Sequence, residues 1–205
     1  MALTKVQADG VNLADTFAFT GTVSGAGSKI LIKSITISSA TASVEFKNGV
    51  SDVVFDSTYT RYELTVDEVI PATNDVDLEF LLSTNAGSSY SGDSAYNQVI
   101  WAAQSNGSTT ADTPSYVNDH AVKSGIGQGN TTNRGGTMGT VLFSKPSTAK
   151  YVQIRGDFWG WTHNGYLTVS SACGQVENVQ DIDAVKIAFS SGNIASGVFK
   201  LYGIL

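Results

Sequence analysis

The side chains best suited to chemistry in this chain sit in one run, Asp157-Phe-Trp159-Gly-Trp161-Thr-His163-Asn164-Gly-Tyr166. Indole and phenol rings offer a large apolar face with a polar edge, which suits stacking against a sugar or another amphipathic surface. His163 and Asn164 add groups that both donate and accept hydrogen bonds. Trp159, Trp161, His163, Asn164 and Tyr166 are therefore the candidate ligand- or receptor-contact residues. A packing role competes with this one. In it, Phe158 and one tryptophan fill the core while the other caps a sheet edge. Tyr90, Tyr96 and Trp101 form a second, weaker aromatic group.

Other chemistries fail on residue supply or spacing. No Gly-x-Ser-x-Gly occurs, so the sequence holds no nucleophile elbow. The two histidines, His120 and His163, lie far apart without ligand-spaced partners. Asp119 adjoins His120, but neighbours on an extended chain point apart. Asp181 and Asp183 could share a strand face, yet the calcium-loop pattern is not completed. Gly125-Ile-Gly127-Gln-Gly129 lacks the third glycine of a nucleotide fingerprint and precedes no helical pattern. Glu63, Asp67, Glu68, Asp77 and Glu79 alternate with apolar residues and read as a solvent face. A glycosidase pair drawn from two different strands stays open. Cys173 is the single cysteine, so no intrachain disulfide can form. Within Leu167-Thr-Val-Ser-Ser-Ala-Cys173 it reads as a small buried residue. The expectation is a non-enzymatic protein with no catalytic residue, cofactor or metal.

The elements that must hold these residues are strands. Apolar residues recur at every second position in Tyr62-Glu-Leu64-Thr-Val66, Val76-Asp-Leu78-Glu-Phe80, Val152-Gln-Ile154-Arg-Gly-Asp-Phe158 and Val185-Lys-Ile187-Ala-Phe189. This is the signature of antiparallel strands with one buried and one wet face. Asn48-Gly49 and Asn164-Gly165 supply turn signals, the latter suggesting a two-residue hairpin. No long stretch has helical spacing. About ten strands without crossover helices predict an all-β antiparallel sandwich, jelly-roll-like. Residues 28–205 form this sandwich. Residues 1–27 read as an N-terminal arm for attachment or oligomerisation, with Phe17 and Phe19 as the side chains that bury against a neighbour. Residues 103–136 read as a long irregular surface loop.

Charge narrows the partners. The 205 residues carry 12 Lys and Arg against 18 Asp and Glu, a net charge of -6 at pH 7. The basic residues are scattered, so nucleic acid is not an expected partner. No apolar run is long enough to span a membrane, and the start lacks a signal-peptide pattern. Membrane insertion is not expected, and synthesis in a cytoplasm is.

Three segments carry a family likeness. They are Asn12-Leu-Ala-Asp-Thr-Phe-Ala-Phe-Thr-Gly-Thr-Val-Ser-Gly25, the strand-turn-strand Tyr62-Glu-Leu-Thr-Val-Asp-Glu-Val-Ile-Pro-Ala-Thr-Asn-Asp-Val-Asp-Leu78, and the closing Phe189-Ser-Ser-Gly-Asn-Ile-Ala-Ser-Gly-Val-Phe-Lys-Leu-Tyr-Gly-Ile204. Together they resemble tail-fibre and capsid-fibre structural proteins of marine and cyanobacterial tailed phages. The resemblance implies a jelly-roll-like domain on a virion, commonly a homotrimer, contacting other virion proteins. For a fibre tip it also implies contact with a host-surface glycan. The chain departs from a full tail fibre in having no long shaft or repeat. A short fibre, a fibre tip and a decoration protein are therefore all compatible with it. The likeness carries no catalytic residue.

Overall fold

Alternate side chains of a strand face opposite ways, and burial in this chain follows that rule. The computed structural model describes residues 28–90, 96–111, 121–144, 150–176 and 181–205. They form twelve strands: β1 Lys29–Ile37, β2 Ser43–Lys47, β3 Arg61–Pro71, β4 Leu78–Ser83, β5 Tyr96–Gln104, β6 Thr109–Ala111, β7 Val122–Lys123, β8 Thr137–Ser144, β9 Gln153–Trp161, β10 Leu167–Val176, β11 Ala184–Phe189 and β12 Ile194–Ile204. One sheet has eight strands in the order β1-β12-β3-β8-β9-β10-β5-β6, and the other has four in the order β2-β11-β4-β7. Every pairing is antiparallel.

The topology is that of a jelly roll with an extension. The chain crosses between the sheets at eight connections: β1–β2, β2–β3, β3–β4, β4–β5, β6–β7, β7–β8, β10–β11 and β11–β12. The quartet β1-β12-β3-β8 thus pairs with the quartet β2-β11-β4-β7 in the double-sheet arrangement of that fold. The expected all-β sandwich is the observed architecture. Tyr62, Leu64, Val66, Phe199 and Leu201 enter the core from the larger sheet, and Phe46, Phe80, Leu82, Val185 and Ile187 enter from the smaller one. The remaining strands, β9, β10, β5 and β6, prolong the larger sheet past the quartet.

Two contacts anchor that extension. Phe158 of β9 is buried and stacks on Phe80 of β4, with ring centroids 5.5 Å apart and planes 20° from parallel. Its ring lies over Gly156, where a Cβ would come within 2.4 Å of it, so glycine is needed there. The second anchor is the segment 121–128, which runs beneath β10 and β5. It had been expected on the surface, but Ala121, Val122, Ser124, Ile126 and Gln128 are all buried. Backbone pairing removes the usual cost of burying its small polar residues. The Ser124 and Gln128 N–H groups donate to the Leu78 and Val76 carbonyls at 2.8 and 2.7 Å. Ser170 Oγ donates to the Ser124 carbonyl at 2.6 Å.

Two acidic residues are held by the fold, one of them against expectation. Glu79 was read as solvent-facing, yet it is buried and lies opposite Lys123 of β7. Asp183 Oδ2 accepts the Ala86 N–H at 2.7 Å, so this carboxylate ties down a turn.

Tyr62 is the largest fully buried side chain. Its hydroxyl accepts the Asp56 N–H at 2.9 Å and donates to the Asp56 carbonyl at 3.2 Å. The ring stacks on Phe143 at 5.4 Å and meets Phe55 edge-on at 5.0 Å. Burial pushes its phenol from 10.0 up to about 12. The neutral form is thus favoured in the fold, so Tyr62 contributes stability below about pH 10 that is lost as pH rises toward 12. Urea midpoints of the wild type should fall across that window more steeply than those of Tyr62→Phe. Equal slopes would show that Tyr62 titrates normally. The phase of β9 has its own test. Phe158→Ala should cost about 3–5 kcal/mol, whereas Trp159→Ala next to it should cost less than about 1 kcal/mol, both read by urea unfolding.

Candidate functional site

On β9 and β10 the sequence does something unusual with its apolar residues. The inward positions of β10 are Thr168, Ser170 and Ala172, all buried, with Thr168 and Ser170 each 1% exposed. The outward positions are Leu167, Val169, Ser171 and Cys173, of which Leu167 and Val169 are about half exposed. Apolar residues face out and small polar ones face in. The cause lies beneath the sheet. The 121–128 backbone approaches β10 and β5 so closely that a Cβ on Gly125 would sit 2.5 Å from Ile100. With Ile100 of β5 already filling this space, the inward positions of β10 are left to small side chains.

Register then assembles the outer face. Trp161 pairs with Leu167, Trp159 with Val169, Asp157 with Ser171, Arg155 with Cys173, and Gln153 with Gln175. On the far side of β10, Val169 pairs with Ala103, Ser171 with Trp101, and Cys173 with Val99. Trp159 and Trp101 are each 48% exposed. They stand two strands and two residues apart, which places their Cα atoms roughly 12 Å from one another. Val169 and Ser171 lie between them. Arg155 Nε reaches Asp157 Oδ2 at 3.2 Å, and Ser171 Oγ donates to Asp157 Oδ1 at 2.7 Å. The charges within the patch thus offset each other, and an exposed pair of this kind adds little to stability.

The five aromatic and polar candidates do not form one cluster. Trp159 lies on the open face, and neither tryptophan enters the core. Trp161 sits at the end of the face, with the Arg134 guanidinium 5.9 Å from its ring. The hairpin beyond it is not the two-residue turn expected from Asn164-Gly165. Thr162 and Tyr166 close a three-residue loop in which Thr162 N–H donates to Tyr166 O at 2.9 Å and Gly165 N–H to Thr162 O at 3.0 Å. Of the two residues only Gly165 has positive φ, at 84°. A type I turn with a glycine bulge has this form. The loop turns His163 away from the tryptophans, toward the β3–β4 connection. There its Nδ1 is 2.8 Å from Asp75 Oδ1, and its backbone N–H donates to Gly127 O at 3.0 Å. Asn164 is exposed at the tip, and Tyr166 is exposed beside it.

The weaker aromatic group also separates. Tyr90 packs against Lys186 of the smaller sheet, with the ammonium 4.5 Å from the ring centroid. Trp101 belongs to the outer face with Trp159. Trp101, Val99, Leu167 and Val169 were not among the predicted contact residues. Cys173 was expected to be buried and is exposed. Phe17, Phe19 and His120 lie outside the described residues.

Past Cys173 the apolar face gives way to a groove of about 740 Å³ whose lining includes Arg61, Leu142, Ser144, Gln153, Arg155 and Gln175. Among the described residues, no group of three or more His, Cys, Asp or Glu side chains is placed to hold a metal ion. No helix among them is long and apolar enough to cross a membrane. Comparison of the chain with protein-family models, with curated proteins and with solved structures finds no match in any of the three.

The phase of β10 is open to a chemical check. A thiol reagent such as dithionitrobenzoate should label Cys173 in the folded protein at a rate close to that in urea. Strong protection in the native state would put this strand in the opposite phase.

Proposed function

We propose that this chain is a non-enzymatic structural protein of a phage virion, a short fibre or fibre tip on tail or capsid. In this reading it meets the host surface through the outer face of its extended sheet. The observation that carries the contact surface is the inverted patterning of β10. A sheet that turns Leu167, Val169, Trp159, Trp101 and Val99 toward water holds a contiguous apolar surface of the kind that marks an interaction site. Tryptophans at the centre of such a patch commonly dominate its binding energy. The virion assignment is supported by the resemblance of the three sequence segments to phage fibre proteins and by the jelly-roll topology. By the same resemblance the working form is a homotrimer, with residues 1–27 as the attachment or trimer-forming segment.

A second reading keeps the virion and changes the partner. The aliphatic share of the patch, Leu167, Val169 and Val99, suits a dry protein contact. On this reading the same face seats a capsid decoration protein against another virion protein.

One experiment separates the two. Particles are prepared carrying Trp101→Ala together with Trp159→Ala. The host-contact reading expects normal amounts of the protein on the particle and adsorption to cells reduced about tenfold or more, equivalent to about 1.4 kcal/mol of lost binding. The decoration reading expects the protein to be missing from the particle. Normal adsorption with normal incorporation would reject the face as a functional surface. Light scattering of the purified full chain should give the mass of three copies, and a monomer would remove the trimer.

A further inference from the structure

The chain has three arginines, and two of them, Arg61 and Arg155, open onto the groove at the end of the extended sheet. Register explains how they come together. Arg61 of β3 pairs with Ser144 of β8. Gln153 N–H, on β9, donates to Ser144 Oγ at 3.0 Å. Gln153 pairs in turn with Gln175 of β10. Four adjacent strands thus present a row of side chains that hydrogen-bond, spanning roughly 14 Å at ordinary strand spacing. The next row holds Glu63, Leu142, Arg155, Cys173 and Val99. It leads up the strands to Trp101 and Trp159.

We propose that this groove binds an acidic glycan, with a sugar carboxylate held by Arg61 and Arg155 and hydroxyls by Ser144, Gln153 and Gln175. The proposal rests on the host-contact reading and names the chemistry of that contact. Charge supports it first. The chain carries -6, yet no aspartate or glutamate among the described residues lines the groove. The two carboxylates nearest the lining are already paired, Glu63 beside Leu142 with Lys29 and Asp157 with Arg155. Arg61 is exposed and forms no ion pair among the described residues. Among the described residues Arg155 pairs only with the exposed Asp157, a contact that costs little to exchange.

Geometry supports it next. The guanidinium fork matches a carboxylate through two parallel hydrogen bonds, which an ammonium does not do. Amide and hydroxyl side chains both donate and accept, as sugar hydroxyls do. Leu142 and Val99 offer apolar contact for the C–H faces of a pyranose, and the indoles above continue that surface. A nucleic acid fits less well, because two arginines in a chain of this net charge cannot neutralise a run of phosphates.

The test uses the full chain in solution with an oligogalacturonate as probe. Its methyl-esterified form serves as a neutral copy of the same backbone. Calorimetry should give binding to the acid form at least about tenfold tighter than to the ester, weakening as salt is raised. Arg61→Gln and Arg155→Gln should each lose about tenfold toward the acid form and change little toward the ester. Thermal midpoints should match the wild type, and the ester comparison needs no variant at all. Equal affinity for acid and ester, wild-type affinity in both arginine variants, or no binding of the acid form would each overturn the proposal. Such a result alongside adsorption still lost in the Trp101/Trp159 particles would remove the acidic glycan and leave the host contact standing. Unchanged adsorption in those particles would remove the host contact itself.

Discussion

The close passage of one backbone segment beneath β10 and β5 decides what the outer surface of this protein becomes. Segment 121–128 pairs with the start of β4 and accepts a hydrogen bond from Ser170, so it cannot back away from the sheet. With Ile100 of β5 in the space left, only small side chains fit under β10. Thr168, Ser170 and Ala172 take its inward positions and bury little apolar area. Bulky and β-branched residues fit a pleated, half-exposed surface, and Trp159, Leu167 and Val169 occupy the other side. The exposed apolar face and the packing of the extension are therefore two sides of one steric constraint.

How much of this the sequence reveals differs from strand to strand. In β3, β4 and β11 the bulky apolar residues occupy one phase, so Tyr62, Leu64, Phe80, Leu82, Val185 and Ile187 read at once as core, and they are. Period alone cannot say which phase faces in when both carry apolar residues. Around Trp159 the phase of Val152 and Ile154 marks Phe158 as inward, but nothing local says whether a neighbouring tryptophan joins it in the core. In β10 the alternation is plain, but the larger side chains are the exposed ones, so Cys173 was placed on the wrong side. The deciding contact comes from residues some forty positions earlier, in a stretch whose glycines and small polar residues look like a surface loop. Trp101 was obscured in another way. It becomes part of the site only through a cross-strand register, and a single chain read in order does not display that register. The turn at Asn164-Gly165 shows the same limit locally. The dipeptide marks a reversal correctly, but the Thr162–Tyr166 pairing sets its length.

The two halves of the molecule carry different loads. The jelly-roll quartets bury the large aromatic and aliphatic side chains, and that burial is the main source of stability in a fold of this kind. The extension buries mainly Phe158, Ile154, Ile100 and small residues on its inner side. The proposed contact face thus lies on strands whose outward side chains contribute little to folding. Substitutions there should leave the fold nearly unchanged, whereas substitutions at Tyr62 or Phe80 should destabilise it.

Placement within the sheet matters as much as composition. β9 and β10 are flanked by strands on both sides, so the backbone beneath Trp159, Val169 and Ser171 is fixed by ladder hydrogen bonds in both directions. A partner meeting this face orders few backbone degrees of freedom and forfeits less binding energy than one that must first organise a loop. The hairpin tip at His163 and Asn164, richest in polar groups by sequence, lacks that advantage and is occupied in part by its link to Asp75. The flat face, rather than the tip, combines exposure with rigidity, and this favours the strands over the turn as the contact surface proposed above.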